Sequence, residues 1–285
     1  MKMKKQFASL LAMLMLFCML AVPAWADIGP KPTVDLTFKG LEGQQYAVAL
    51  ISRREDTPNP WMGDGWDAYD PEDGKQENWQ ALHDYVDPDG CKFGGYWEEC
   101  GETHHFRWDY RAPSRFKILI WLEDSQTYLV SEELDRYAFD AYFTVQYTPA
   151  GELQVKRSYD YTYELISLVC RVVLTIAIEL AIAWLIGWRT RRSMQILLWT
   201  NVVTQLGLNI ALNVINYLEG SLVFAFSFFG LELIVFVVEG IVYQYLLSYK
   251  SKMAKTWQVW LYAFGANAAS LLLGFKLAQW IPGIF

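Results

Sequence analysis

The chain has 285 residues, 53% of them hydrophobic and 16% aromatic, with four cysteines and a formal charge of −7. That length suits two domains, and an acidic chain with no basic block argues against nucleic acid as a partner. The averages conceal two unlike parts, a polar and aromatic stretch to about residue 160 and four apolar blocks from residue 163 onward.

Lys2, Lys4 and Lys5 precede an apolar run from Phe7 to Val22, and Ala24-Trp25-Ala26 puts small residues where a signal peptidase reads. Residues 1–26 are therefore expected to be a signal peptide, with the mature chain opening at Asp27. An uncleaved anchor is the alternative, although sixteen apolar residues are short for a core of about 30 Å.

Short runs of alternating or β-branched chemistry follow at Thr33–Phe38, Tyr46–Ile51, Phe116–Leu122, Thr127–Val130, Tyr137–Tyr147 and Glu152–Ser158. Turn residues such as Pro149-Ala150-Gly151 separate them. Six strands in residues 27–160 predict a small, β-rich, sandwich-like extracellular domain with antiparallel sheets. An acidic, tryptophan-rich insertion is expected at residues 55–102, holding Trp61, Trp66, Trp79 and Trp97 and only Lys75 and Lys92 as lysines. Within it, the spacing of Trp79, Leu82 and Val86 predicts a short helix over Lys75–Val86.

Cys91 and Cys100 close a short loop in this exported domain, which predicts a disulfide between them, with a pair of reduced thiols as the alternative. With His104 and His105 they match no zinc spacing, and no metal site is expected. Asp87-Pro88-Asp89-Gly90 carries a fragment of a calcium loop, but counting from Gly90 puts Tyr96 where the acidic twelfth ligand belongs. No cofactor is expected.

Four spans can be drawn in residues 163–285, at 163–188, 194–217, 222–247 and 257–280, each long enough to cross a bilayer at about 1.5 Å per residue. Tyr161, Tyr163, Trp184, Trp188, Tyr217, Trp257 and Trp280 mark their ends, as interfacial aromatics do. Arg189, Arg191 and Arg192 follow the first span and Lys250, Lys252 and Lys255 the third, so both connections are expected in the cytoplasm. The mature N- and C-termini then lie outside the cell membrane.

The second span carries Asn201, Gln205, Asn209 and Asn213 four residues apart, an arc of about 120°. The third carries Glu232, Glu239 and Tyr243 within about 40° of one another. Folded as a hairpin about Gly220, the two would set Asn201 level with Glu239 and Asn209 level with Glu232, a polar seam joined by Glu179 of the first span. An ionised side chain at mid-helix costs about 2.5–3.5 kcal/mol on insertion scales, so each carboxyl is expected as the neutral acid against an amide. Arg171 is expected to snorkel outward. Gly265, Ala266, Ala268, Ala269, Ser270 and Gly274 predict a small-residue face on the last span.

The three histidines, His83, His104 and His105, all precede the spans, which excludes an intramembrane His-Glu-x-x-His protease. There is no Gly-x-Ser-x-Gly elbow and no nucleotide loop, so no enzyme is expected. Asp27-Ile28-Gly29-Pro30-Lys31-Pro32, Phe116-Lys117-Ile118-Leu119, Tyr137-Ala138-Phe139-Asp140, Asn201-Val202-Val203-Thr204-Gln205, the 208–213 run and Trp280–Phe285 mark the chain. With these it resembles an uncharacterised family of exported four-span membrane proteins from Gram-positive, clostridia-like bacteria. The resemblance covers nearly the whole mature chain and implies the layout without an activity.

Two roles follow from these residues. The first is an extracellular ligand- or envelope-binding module, or one coupled to a membrane-protein partner or to a second copy, anchored in the lipid bilayer by its helices. The second is a small transporter or a proton- or ion-conducting protein that uses the intramembrane Glu and Asn residues.

Overall fold

The computed structural model describes residues 29–56 and 74–280, with side chains to residue 276. The signal peptide, Trp61, Trp66 and the last five residues lie outside the described residues. The chain forms two compact units, 29–159 and a helical one from residue 160 onward.

The first unit is β-rich and holds two sheets. One has the order β4 (His105–Trp108), β1 (Thr33–Lys39), β8 (Asp140–Tyr147), β9 (Leu153–Arg157). The other runs β3 (Lys92–Glu99), β2 (Tyr46–Ser52), β5 (Arg115–Leu122), β6 (Thr127–Val130), with the two-residue β7 (Leu134–Asp135) also paired to β5. Alternate side chains of both sheets meet in one core. Val34, Leu36 and Phe38 of β1 and Phe143 and Val145 of β8 face Val48 and Leu50 of β2 and Ile118 and Ile120 of β5. This is a sandwich, built on the period of two that the sequence shows.

The pairings are antiparallel with one exception. β1 lies parallel to β8, Thr33 opposite Asp140 through Lys39 opposite Gln146. A parallel pair needs a long crossover, and here the whole second sheet supplies it.

Every residue of β2 is buried. Its second face, with Ala47, Ala49 and Ile51, packs beneath helix α1 (Gln76–Asp84) through Leu82, beside Trp97 of β3. A third layer on the sandwich therefore explains why Tyr46–Ile51 is a continuous apolar run instead of an alternating one. The stretch expected as an acidic insertion is in part core: β3 and α1 belong to it, and β3 is an integral strand of the second sheet.

The expected disulfide is overturned. Cys91 and Cys100 are both free and buried. The extended strand β3 separates them, which holds their Cα atoms about 30 Å apart at ~3.3 Å per residue, against a limit of about 7 Å for a disulfide. They also point to opposite faces of the sheet, Cys100 into the sandwich core and Cys91 under α1. Burial pushes both thiols above the usual range, and Cys100 donates to the carbonyl of His105 at 3.1 Å. Alkylation of the denatured, unreduced protein is expected to label both residues. A pair labelled only after reduction would contradict this placement.

The calcium-like fragment also has a structural answer. Lys117 Nζ donates to Asp87 Oδ1 at 2.8 Å and Oδ2 at 3.0 Å, and to Asp89 Oδ2 at 2.5 Å. The cation between these carboxylates is an ammonium. No group of three or more His, Cys, Asp and Glu side chains with metal-binding geometry occurs among the described residues.

The second unit contains helices α2 (Thr162–Leu185), α3 (Arg191–Glu219), α4 (Ser221–Tyr243, continuing as a π-helical segment Gln244–Lys250) and α5 (Thr256–Trp280). Thr190 caps α3 by accepting from the Ser193 amide. Gly220, at φ 83°, turns α3 into α4 with a single residue between them. α2 packs on α3 and α5, and α4 on α3 and α5, so the four helices close a ring.

Three of the helical stretches, Thr162–Leu185, Arg191–Glu219 and Ser221–Lys250, are long and apolar enough to cross a membrane. The helices are inside-out by the standard of a protein in water. Val173, Val203 and Phe226 are 61%, 69% and 62% exposed, while Glu179, Asn201 and Glu239 are fully buried. Apolar exteriors around polar interiors suit a lipid surround.

Packing between α4 and α5 depends on Gly240, where a β-carbon would lie 2.5 Å from the Trp260 ring. The buried face of α5 is Val259, Ala263, Ala266, Asn267 and Ser270. Gly265, expected on the small-residue face, meets nothing within 4 Å.

Candidate functional site

The polar side chains inside the helical ring fall into two connected groups. The first centres on Glu239 of α4. Its Oε1 accepts from Thr204 Oγ1 of α3 at 2.6 Å and its Oε2 from Asn267 Nδ2 of α5 at 2.7 Å. One turn along α4, Tyr243 Oη accepts from Asn201 Nδ2 at 2.9 Å. Across the ring, Tyr262 of α5 donates to the Glu179 carbonyl at 3.0 Å. Four helices are thus tied together at one level.

Glu179 differs from its neighbours. It is fully buried, and neither of its carboxyl oxygens has a hydrogen bond of good geometry, the Asn201 amide being the side-chain donor that faces it. Asn201, Glu239, Tyr243 and Tyr262 are polar groups within electrostatic reach of it. Asn201 Oδ1 and Asn267 Oδ1 are buried without a donor as well. Three acceptor groups therefore cluster with few donors to share, the Tyr243 hydroxyl among them. A buried carboxylate in that position costs several kcal/mol unless a proton or a cation shares it.

The second group lines a cavity of about 230 Å³ toward the Gly220 turn. Arg171 of α2, Gln205 and Asn209 of α3, Glu232 of α4 and Ser270 of α5 form its polar side. Phe224, Phe228, Phe229 and Phe275 form much of its apolar side. Arg171 is buried instead of snorkelling, and its Nη2 donates to Asn213 Oδ1 at 3.1 Å and its Nε to the Ser167 carbonyl at 3.4 Å. The guanidinium is held inward because Asn213 on the facing helix supplies an acceptor there. Asn209 donates to the Gln205 carbonyl at 2.8 Å, whereas Gln205 Nε2 is buried with no acceptor.

All eight residues of the sequence-derived seam lie on three helices of this ring. Glu179, Asn201, Glu239 and Tyr243 share the first level, Gln205, Asn209 and Glu232 border the cavity, and Asn213 holds Arg171. The register differs from the simple hairpin estimate. Glu239 is level with Thr204, and Asn201 with Tyr243, about three residues along. With only Gly220 between the helices, α4 begins at once and its pairing partners shift by nearly a turn. Sequence reasoning passed over Thr204 and Tyr262. Thr204 is adjacent to Gln205, not on the four-residue amide stripe, so a stripe search does not find it.

Compared with family models, curated proteins and solved structures, the chain matches none. What the fold defines by itself is a β-sandwich unit followed by a helical unit with apolar helices long enough to cross a membrane and a polar interior.

Proposed function

We propose that this is a multi-pass cell-membrane protein with four spans, α5 being the fourth, and an exported β unit, and that its helical unit moves a proton or small cation. The two basic connections, at residues 189–192 and 250–255, would face the cytoplasm. The observation that carries the reading is Glu179, a fully buried carboxyl with no well-formed hydrogen bond on either oxygen and a second carboxyl, Glu239, beside it. Helix association needs polar groups that satisfy one another. An acceptor left open beside a second carboxyl suits a site that takes up and gives back a positive charge.

Glu239 and Glu232 are within electrostatic reach of one another, as are Glu179 and Glu239, so a charge gained at one carboxyl is felt at the next. The role is non-enzymatic. In the β unit the acidic pair Asp87 and Asp89 is already occupied by Lys117.

Proton or cation flux into liposomes tests this. Wild type is expected to acidify the lumen under an imposed gradient, and Glu239→Gln, which keeps the Thr204 contact and the fold, is expected to reduce the rate at least tenfold. Equal rates in the two proteins, or no flux from folded wild type, would refute the reading.

A further inference from the structure

The cavity holds a second, separate feature: a guanidinium and a carboxyl group that do not use each other. Arg171 is 7% exposed and spends Nε and one Nη2 proton on Ser167 and Asn213. Its Nη1 group and the other Nη2 proton have no protein acceptor among the described residues. Glu232 is half-buried, borders the same cavity, and takes part in no hydrogen bond or ion pair among the described residues. Gln205, 2% exposed, adds a buried amide donor without a partner.

We propose that this cavity binds a small zwitterion with an aromatic or branched apolar side chain, of the α-amino-acid type. The ligand's carboxylate would meet the open edge of Arg171 and the Gln205 amide, in the charge-assisted geometry a guanidinium favours. Its ammonium would meet Glu232. A ligand with one charge alone would answer Arg171 or Glu232 but not both, which is why a zwitterion fits better than either half.

The remaining wall fixes the third element of the ligand. Phe224, Phe228 and Phe229 of α4 and Phe275 of α5 form an aromatic cluster, with Phe228 edge-on to Phe275 at 5.9 Å between ring centres. Rings arranged this way favour another ring or a branched chain. The size agrees. An engineered cavity of about 150 Å³ admits benzene, so about 230 Å³ leaves room for a ring and a short charged tail.

The inference rests on the transport reading for its setting and names the class of solute that would accompany the proton. Glu232 links the two, since it borders the cavity and feels the charge on Glu239.

The test uses the full chain in phosphatidylcholine nanodiscs, with L-phenylalanine against its two halves, 3-phenylpropionate and 2-phenylethylamine. L-Phenylalanine is expected to bind saturably and to raise the melting temperature, with each half at least tenfold weaker. Glu232→Gln is expected to weaken L-phenylalanine at least tenfold while leaving 3-phenylpropionate unchanged, a selective effect that a folding defect does not produce. Ala225→Leu, which adds bulk to the cavity wall, is expected to abolish binding in a protein that still melts cooperatively.

Halves that bind as tightly as the whole, or no saturable binding to folded wild type, would overturn the assignment. So would competition by phosphatidylethanolamine added to the disc, which would make the occupant a lipid headgroup. Binding that persists in Glu239→Gln while flux is absent from wild type would remove the transport reading and leave the site. Flux without binding would do the reverse.

Discussion

Replacing Lys117 by Met is expected to destabilise the β unit by about 3–5 kcal/mol, the range for stripping one partner from a buried ion pair. The Lys117 side chain is 9% exposed and that of Asp87 only 1%, so solvent cannot take over the lost interaction. Asp87 also accepts from the amides of Asp89 and Cys91, at 3.1 and 3.2 Å, and its ionised form is built into the turn that leads into β3. Hydrogen exchange of the 115–122 strand is the direct readout. Its protection should fall by a hundredfold to a few thousandfold in the variant. A loss under tenfold would mean the ammonium contributes little.

The same pair sets a pH window. Burial by itself would raise the Asp87 carboxyl, but the Lys117 ammonium and the turn amides hold it below the usual carboxylate range. Its stabilisation is therefore present above about pH 4 and is lost as pH falls through the depressed value. Burial by itself would lower Lys117, but Asp87 and Asp89 hold it above the usual lysine range. That contribution is complete below about pH 10 and is lost as pH rises beyond. The pair's contribution to the β unit's stability should thus be flat between the two limits, and Lys117→Met should be most damaging within them.

Replacing Glu179 by Leu is expected to do the opposite to stability while ending transport. An undonated buried polar group costs about 1–3 kcal/mol, and Leu removes that cost at similar volume. The variant should unfold at higher denaturant concentration in detergent, by about that amount, and its flux should drop to the level of empty liposomes. A destabilised variant would show that Glu179 has a partner after all. A stabilised variant with full flux would take Glu179 out of the path. Buried groups kept at a loss to folding are a usual mark of function.

The alternation of Val34, Leu36 and Phe38, and the apolar strands Tyr46–Ile51 and Phe116–Leu122, could be read directly, because each side of a strand meets one environment along its length. β3 and β4 could not. Gly94-Gly95 interrupts β3, and His105-Phe106-Arg107-Trp108 is too short to show a period. Both hide among acidic residues that read as loop. The partner of β1 was also illegible, since nothing local in Thr33–Lys39 specifies a strand more than a hundred residues away.

In the helices, periodicity located the amides of α3 and the carboxyls of α4 on facing sides. It did not give their exact level, which a one-residue turn decides. Nor did it give the inward course of Arg171, which depends on Asn213 across the helix pair. The cavity lies where four helices contribute one or more side chains each, and no single stretch announces it.

The parallel pairing of β1 with β8 carries a consequence for how the protein is made. Thr33 Oγ1 donates to Asp140 Oδ1 at 2.7 Å, and the strands between them belong to the other sheet or to the edge. At about 5–20 residues added per second, β1 emerges roughly 5–20 s before the strand it must lie beside. For that interval its Val34, Leu36 and Phe38 have no native neighbour on the β8 side. When β8 does arrive, the first helix begins at Thr162, some fifteen residues later. Closure of the sandwich and the emergence of the first helix are therefore nearly simultaneous. A delay in the first would leave an unpaired strand exposed while the second proceeds.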